Sequence, residues 1–96
     1  MSTDELTELR CSLETRLAQA IGVLRTTTGE LAEYSRQLTI QHQTLRSQSG
    51  PAYVYELLQL ISGACTFCST RSDPAAQLAA KALDVSMYPI FRENLA

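Results

Sequence analysis

The chain has 96 residues, of which 45% are hydrophobic, and its formal net charge is −2. This length allows a single domain over residues 1–96, and the hydrophobic share is too high for a disordered chain. Ten acidic residues against eight basic ones argue against the broad basic face of a nucleic-acid-binding protein. No nucleic-acid partner is therefore expected.

The cysteine count and the N-terminal composition predict a reducing location. Three cysteines do not suit a small secreted scaffold, which usually carries an even and denser set. No basic and apolar leader opens the chain, so we expect a cytoplasmic or otherwise intracellular protein. The most apolar stretch, residues 52–68, contains Glu56 and is shorter than the ~20 apolar residues of a membrane span. No membrane span is expected.

A long N-terminal helix is the first predicted element. Ser2 and Glu5 fit a capping box, so we expect the helix to begin near residue 3. Leucine then recurs at every seventh position without interruption, which is typical of a coiled-coil-like helix extending to about residue 47. The repeated positions are Leu17, Leu24, Leu31, Leu38 and Leu45.

A possible interruption lies at residues 26–29, where three threonines precede Gly29. Threonine and glycine both lower helix propensity, by roughly 0.5–1 kcal/mol per residue, so this segment could bend or break the helix. Because the leucine repeat keeps its register from Leu24 to Leu31, we favour one continuous helix over residues 3–47. A broken helix, giving a self-contained bundle of three or four helices, is the alternative.

Two shorter helices are predicted after the long one. Gly50 and Pro51 suit a helix end followed by a helix start, which predicts a second helix over residues 52–70. Asp73 and Pro74 begin a third helix, over residues 74–87, and residues 88–96 form a tail. The expected fold is therefore all-α, a helical hairpin with a short third helix.

Helix lengths point to a protein partner. A helix of residues 3–47 would be about 66 Å long, whereas the second helix would cover only about 28 Å of it. Leucines near the N-terminus would then be bare, and the second helix is apolar on two sides, so we expect a partner chain or a second copy to cover both. The expected interface residues are Leu6, Leu9, Leu13, Leu17, Leu24, Leu60 and Phe67, with Ile90 and Phe91 of the tail as secondary candidates.

The pair Cys65 and Cys68 is the strongest hint of chemistry. The pair lies late in a predicted helix, which argues against a thioredoxin-type redox motif. The predicted hairpin places the pair opposite Tyr34 and too far from Cys11 and His42 to share a zinc ion with them. Simple packing is the favoured interpretation, and a zinc site formed by Cys65 and Cys68 of two chains is the alternative.

No arrangement of residues in the sequence indicates catalysis. His42 is the only histidine, its neighbours are mostly uncharged, and no serine or cysteine stands in an obvious activating arrangement with it. We therefore expect a non-enzymatic protein–protein interaction module without a cofactor, such as a small adaptor, structural subunit or chaperone. A zinc-dependent dimerisation module is the alternative function.

Overall fold

The computed structural model describes residues 3–84, and this part of the chain folds into four helices joined by short connections. The prediction of an all-α fold is confirmed. Because residues 26–29, 46–49 and 70–73 make the connections, successive helices run antiparallel. The helices are α1 (Thr3–Arg25), α2 (Glu30–Leu45), α3 (Gly50–Ser69) and α4 (Pro74–Ala82).

The prediction of one continuous helix over residues 3–47 is wrong, because the chain breaks between Arg25 and Glu30. The hydroxyls of Thr26 and Thr27 donate to the carbonyls of Val23 and Leu24, at 2.7 and 2.6 Å. Such side-chain bonds compete with the helical backbone pattern. Gly29 then adopts a φ of 71° and a ψ of −134°, a conformation that favours glycine and turns the chain into α2.

The leucine repeat keeps its register across the break because both helices face one core. Leu24 ends the buried row of α1 and Leu31 begins the buried row of α2, and both belong to the same apolar cluster. A period of seven residues is equally compatible with a straight coiled coil and with two helices of a bundle. The persistence of the register was therefore no evidence for a continuous helix.

The second and third predicted helices correspond to α3 and α4, with shifted ends. Gly50 has a φ of 68° and begins α3, so the helix starts two residues before the predicted position. The Asp73 carboxylate accepts a hydrogen bond of 2.8 Å from the Ala75 amide, which confirms the predicted cap of α4. The end predicted at residue 87 is too late, because α4 ends at Ala82. The predicted tail, residues 88–96, lies outside the described residues.

The core is built around α1, which packs against each of the other three helices. Leu83 follows α4 directly and is fully buried, and Arg16 of α1 donates to the Ala82 carbonyl at 3.3 Å. The Arg16 hydrogen bond fastens the end of α4 to the middle of α1. One chain therefore encloses the leucine row that a long hairpin would have left bare.

Candidate functional site

Four of the predicted interface leucines lie inside the chain's own core. Their exposed fractions are between 0 and 8%, because α2, α3 and α4 all pack against α1. They would be bare only along a continuous first helix, and the chain breaks between Arg25 and Glu30. This part of the interface prediction is therefore corrected for the folded chain. The four residues are Leu9, Leu13, Leu17 and Leu24.

The other predicted interface residues fall into two groups. Leu6, Leu60 and Phe67 are half-buried and pack against the edge of the core, so each keeps surface for a partner. Ile90 and Phe91 lie outside the described residues. Leu60 and Phe67 both line a surface groove, and the sequence did not predict this groove.

This feature is an open groove between α2 and α3, with a volume of about 680 Å³, here called the α2/α3 groove. Most of its surface is apolar, and its polar side chains are spread along the two walls. It is lined by Tyr34, Ile40, Gln41, Thr44, Leu45, Glu56, Gln59, Leu60, Gly63, Ala64 and Phe67.

The α3 wall of the groove follows from helical spacing. Leu60, Gly63, Ala64 and Phe67 are separated by three or four residues, which places them along one side of the helix. Small residues stand between two large ones, so the wall is hollow at its middle. A Cβ atom added to Gly63 would have no neighbouring atom within 4 Å, which shows that the hollow opens outward.

The α2 wall contributes the exposed apolar residue Ile40, half of whose surface faces solvent. Ile40 lies off the leucine row of α2, and its neighbours Gln41 and Thr44 are polar. Because these neighbours are polar, the sequence did not predict that Ile40 lines a groove. In the sequence, Ile40 is notable only as an apolar residue outside the seven-residue repeat. That position does not indicate which surface its side chain joins.

Aromatic stacking closes one end of the groove. The rings of Tyr34 and Phe67 stack with 3.9 Å between their centroids, and the guanidinium of Arg71 lies 4.5 Å from the centre of the Phe67 ring. Arg71 also pairs through both of its terminal nitrogens with the carboxylate of Glu30 at the start of α2. This arrangement holds the Phe67 ring in place where α2 and α3 meet.

A polar network joins three helices away from the groove. The Tyr53 hydroxyl donates to Glu14 Oε2 at 2.7 Å and lies 2.9 Å from His42 Nε2. Because a hydroxyl has one hydrogen, His42 must donate through Nε2 to the Tyr53 oxygen. Burial and the Glu14 carboxylate raise the pKa of Tyr53 to about 12, so the hydroxyl keeps its proton. The network ties α1, α2 and α3 together, and none of its members lines the α2/α3 groove.

The cysteine pair packs within the chain, with Cys68 in the core and Cys65 at its edge beside α4. Cys68 is fully buried, and the Cys65 thiol lies 3.5 Å from the Ala80 carbonyl of α4. Burial raises the pKa of both thiols, which keeps them protonated and poorly suited to redox chemistry. Because Cys68 is enclosed, the pair does not present two thiols to a second chain, and this geometry does not support a shared zinc site.

Residues 3–84 hold neither a cluster of metal-ligating side chains nor a helix that could span a membrane. No group of three or more His, Cys, Asp or Glu side chains there is arranged to hold a metal ion. In the same part of the chain, every helix is too short or too polar to cross a membrane. The three cysteines are free, and Cys11 is exposed.

Comparisons with protein families, with characterised proteins and with solved structures give no match to this chain. Among residues 3–84, the α2/α3 groove is the candidate site that the geometry supports best.

Proposed function

We propose that this protein is a non-enzymatic protein–protein interaction module that binds a helix of a partner protein in the α2/α3 groove. The observation that carries this proposal is the outward-facing apolar wall of Leu60, Gly63 and Phe67, opposite the exposed Ile40. Of the repeated leucines, Leu17, Leu24, Leu31 and Leu38 are buried by the chain itself, and half-buried Leu45 lines the groove.

The shape of the groove suits a helix. Along α3, the distance from Glu56 to Phe67 is about 16 Å, at 1.5 Å per residue, which matches about three turns of a second helix. Amphipathic helices that bind in such grooves insert apolar side chains spaced three, four and seven residues apart. The hollow at Gly63 and Ala64 would accept the central apolar side chain of such a helix.

The proposed binding surface differs from the one predicted from the sequence, which consisted mainly of leucines of the first helix. The leucines from Leu17 to Leu38 are enclosed in the core, whereas Leu60 and Phe67 at the core's edge keep exposed surface that could meet a partner. An adaptor or a small structural subunit fits this division, because it must fold before it meets its partner. An intracellular location is part of the proposal, and the exposed thiol of Cys11 is compatible with it.

The test is a selection of binders from a displayed library of amphipathic helices, with the full chain as the target. Selected helices are then measured against Gly63→Met, which places a large side chain in the hollow, and against Gly22→Met. Both glycines are exposed, lie within helices and have open space around them, but Gly22 does not line the groove. Both variants therefore receive a similar gain in helix propensity.

We expect the selected helices to bind Gly63→Met at least about tenfold more weakly than wild type, a loss of about 1.4 kcal/mol of binding free energy. The reason is that the methionine side chain fills the hollow that the central apolar side chain of the helix would enter. Binding to Gly22→Met is expected to stay at the wild-type level. Helices that bind both variants equally, or a library that yields no binder, would contradict the proposal.

A further inference from the structure

The charges around the α2/α3 groove are unequal. Among the described residues that line it, Glu56 alone carries a charge, and the remaining polar side chains, Gln41, Thr44 and Gln59, are neutral. Glu56 is exposed and forms no ion pair with another residue of the described range 3–84. The groove therefore offers a partner one free carboxylate and no cation.

The opposite end of the groove is electrically balanced. Arg71 lies over the Phe67 ring, but its charge is already paired with Glu30. The free negative charge is thus confined to the Glu56 end, about 16 Å along α3 from Phe67 at 1.5 Å per residue. A bound helix would meet apolar surface over most of its length and a carboxylate near one end.

We infer that the partner is an amphipathic helix with Lys or Arg at the end that meets Glu56. This inference rests on the proposed function and specifies the chemistry of the partner. A basic side chain at that end would pair with the Glu56 carboxylate, while apolar side chains fill the hollow at Gly63 and Ala64. Charge complementarity therefore selects a basic partner helix.

A second copy of this chain fits the same surface poorly. Two grooves placed face to face would each contribute a Glu56 carboxylate and, from their lining residues, no cation to pair with it. Neither groove then supplies a cation for the other's carboxylate, so self-association gains no charge pairing. A partner of different composition therefore suits the groove better than its own copy.

The experiment fixes the apolar positions of one selected helix and varies only the end residue among Lys, Gln and Glu. Binding of the three peptides is measured on the full wild-type chain, on Glu56→Gln and on Glu56→Lys. Glu56 is exposed on α3, so these variants keep the core intact. Gly63→Met provides the control that binding occurs in the groove.

We expect the Lys peptide to bind wild type about two- to fivefold more tightly than the Gln peptide, which is the usual range for an exposed ion pair. The preference should disappear with Glu56→Gln, reverse in favour of the Glu peptide with Glu56→Lys, and weaken in high salt. These three results together would support a basic partner helix.

Three other results would overturn the inference. Groove-dependent helices without a charge preference would remove the basic partner and leave the proposed function in place. A dimer of the chain that forms on concentration and is abolished by Gly63→Met, but not by Gly22→Met, would make a second copy the occupant. A library that yields no helix sensitive to Gly63→Met would overturn the proposed function and this inference together.

Discussion

The ring of Tyr34 stacks on the ring of Phe67, with 3.9 Å between their centroids and 20° between their planes. This contact sets the register of the α2–α3 hairpin and closes one end of the groove. The sequence placed Tyr34 opposite Cys65, which is only two residues from its observed partner. Both rings line the groove, so one contact serves the fold and the candidate site.

Replacing Phe67 with leucine tests this contact. We expect Phe67→Leu to lower the free energy of unfolding by about 1 kcal/mol, because the stacked pair is lost while an apolar side chain remains. The measurement is urea unfolding followed by circular dichroism. Tyr55→Leu is the control, since Tyr55 is 47% exposed and lies outside the groove. Equal effects of the two substitutions would show that the stack contributes nothing specific.

The break between α1 and α2 makes opposite predictions for two glycines. Gly29 has a φ of 71°, so Gly29→Ala should lower the free energy of unfolding by about 1–3 kcal/mol. Gly22 lies within α1 with open space around it, so Gly22→Ala should raise the free energy of unfolding by up to about 1 kcal/mol.

The same pair of substitutions distinguishes the two descriptions of the N-terminal half. In a continuous helix, both glycines would lie in the helix interior and both alanine variants would gain stability. A thermal melt in which Gly29→Ala unfolds at a higher temperature than wild type would therefore contradict the observed break.

The buried leucines predict a monomer that completes its own core. Leu13 is fully buried, so Leu13→Ala should lower the free energy of unfolding by about 2–5 kcal/mol. Leu60 is half-buried, so Leu60→Ala should lower the free energy of unfolding by less than Leu13→Ala does. The same substitution should weaken binding of a helix in the groove. Urea unfolding of both variants gives the comparison.

Dilution provides the control for the leucine prediction. If one chain alone buries the core leucines of α1, the free energy of unfolding should stay constant over an approximately hundredfold range of protein concentration. Stability that rises with concentration would show that a second chain takes part in forming the core.

Acidification should weaken the network around His42. Burial lowers the pKa of this imidazole below its usual value of about 6.5, although Glu14 opposes the change, and Arg46 adds to it. Glu14 and Arg10 face the network from α1, and Tyr53 faces it from α3. Because the unfolded chain then binds a proton at His42 more readily than the folded chain, stability falls as the pH drops below about 6.5.

The pH prediction is checked with His42→Gln, which removes the titrating group. Urea unfolding at about pH 7 and about pH 5.5 should show a larger loss of stability in wild type than in the variant. An equal or larger loss in His42→Gln would assign the acid sensitivity to carboxylates elsewhere in the chain.

Local signals predicted the later helices well. Gly50 with Pro51 and Asp73 with Pro74 determine where α3 and α4 begin, because these residues act through their own backbone conformation and caps. The break at Gly29 was harder to predict, because the cost of continuing the helix had to be weighed against packing gained by folding back. That packing involves α4, whose contacts with α1 are distant in sequence.

The candidate site was predictable only in part. Leu60 and Phe67 were expected at an interface because they lie on a second apolar side of α3, and both line the groove. Ile40 could not be assigned, since its exposure depends on how α2 and α3 cross. A continuous first helix leaves the four core leucines to a partner, whereas the break after Arg25 lets the chain cover them itself.

The most direct test of the account is a map of amide chemical-shift changes in the full chain when it binds a helix selected on wild type. We predict that the largest changes occur in the groove, at Ile40, Leu60, Gly63 and Phe67. If the largest changes instead occur at the buried leucines of α1, between residues 9 and 24, the account is contradicted and these leucines form the interface.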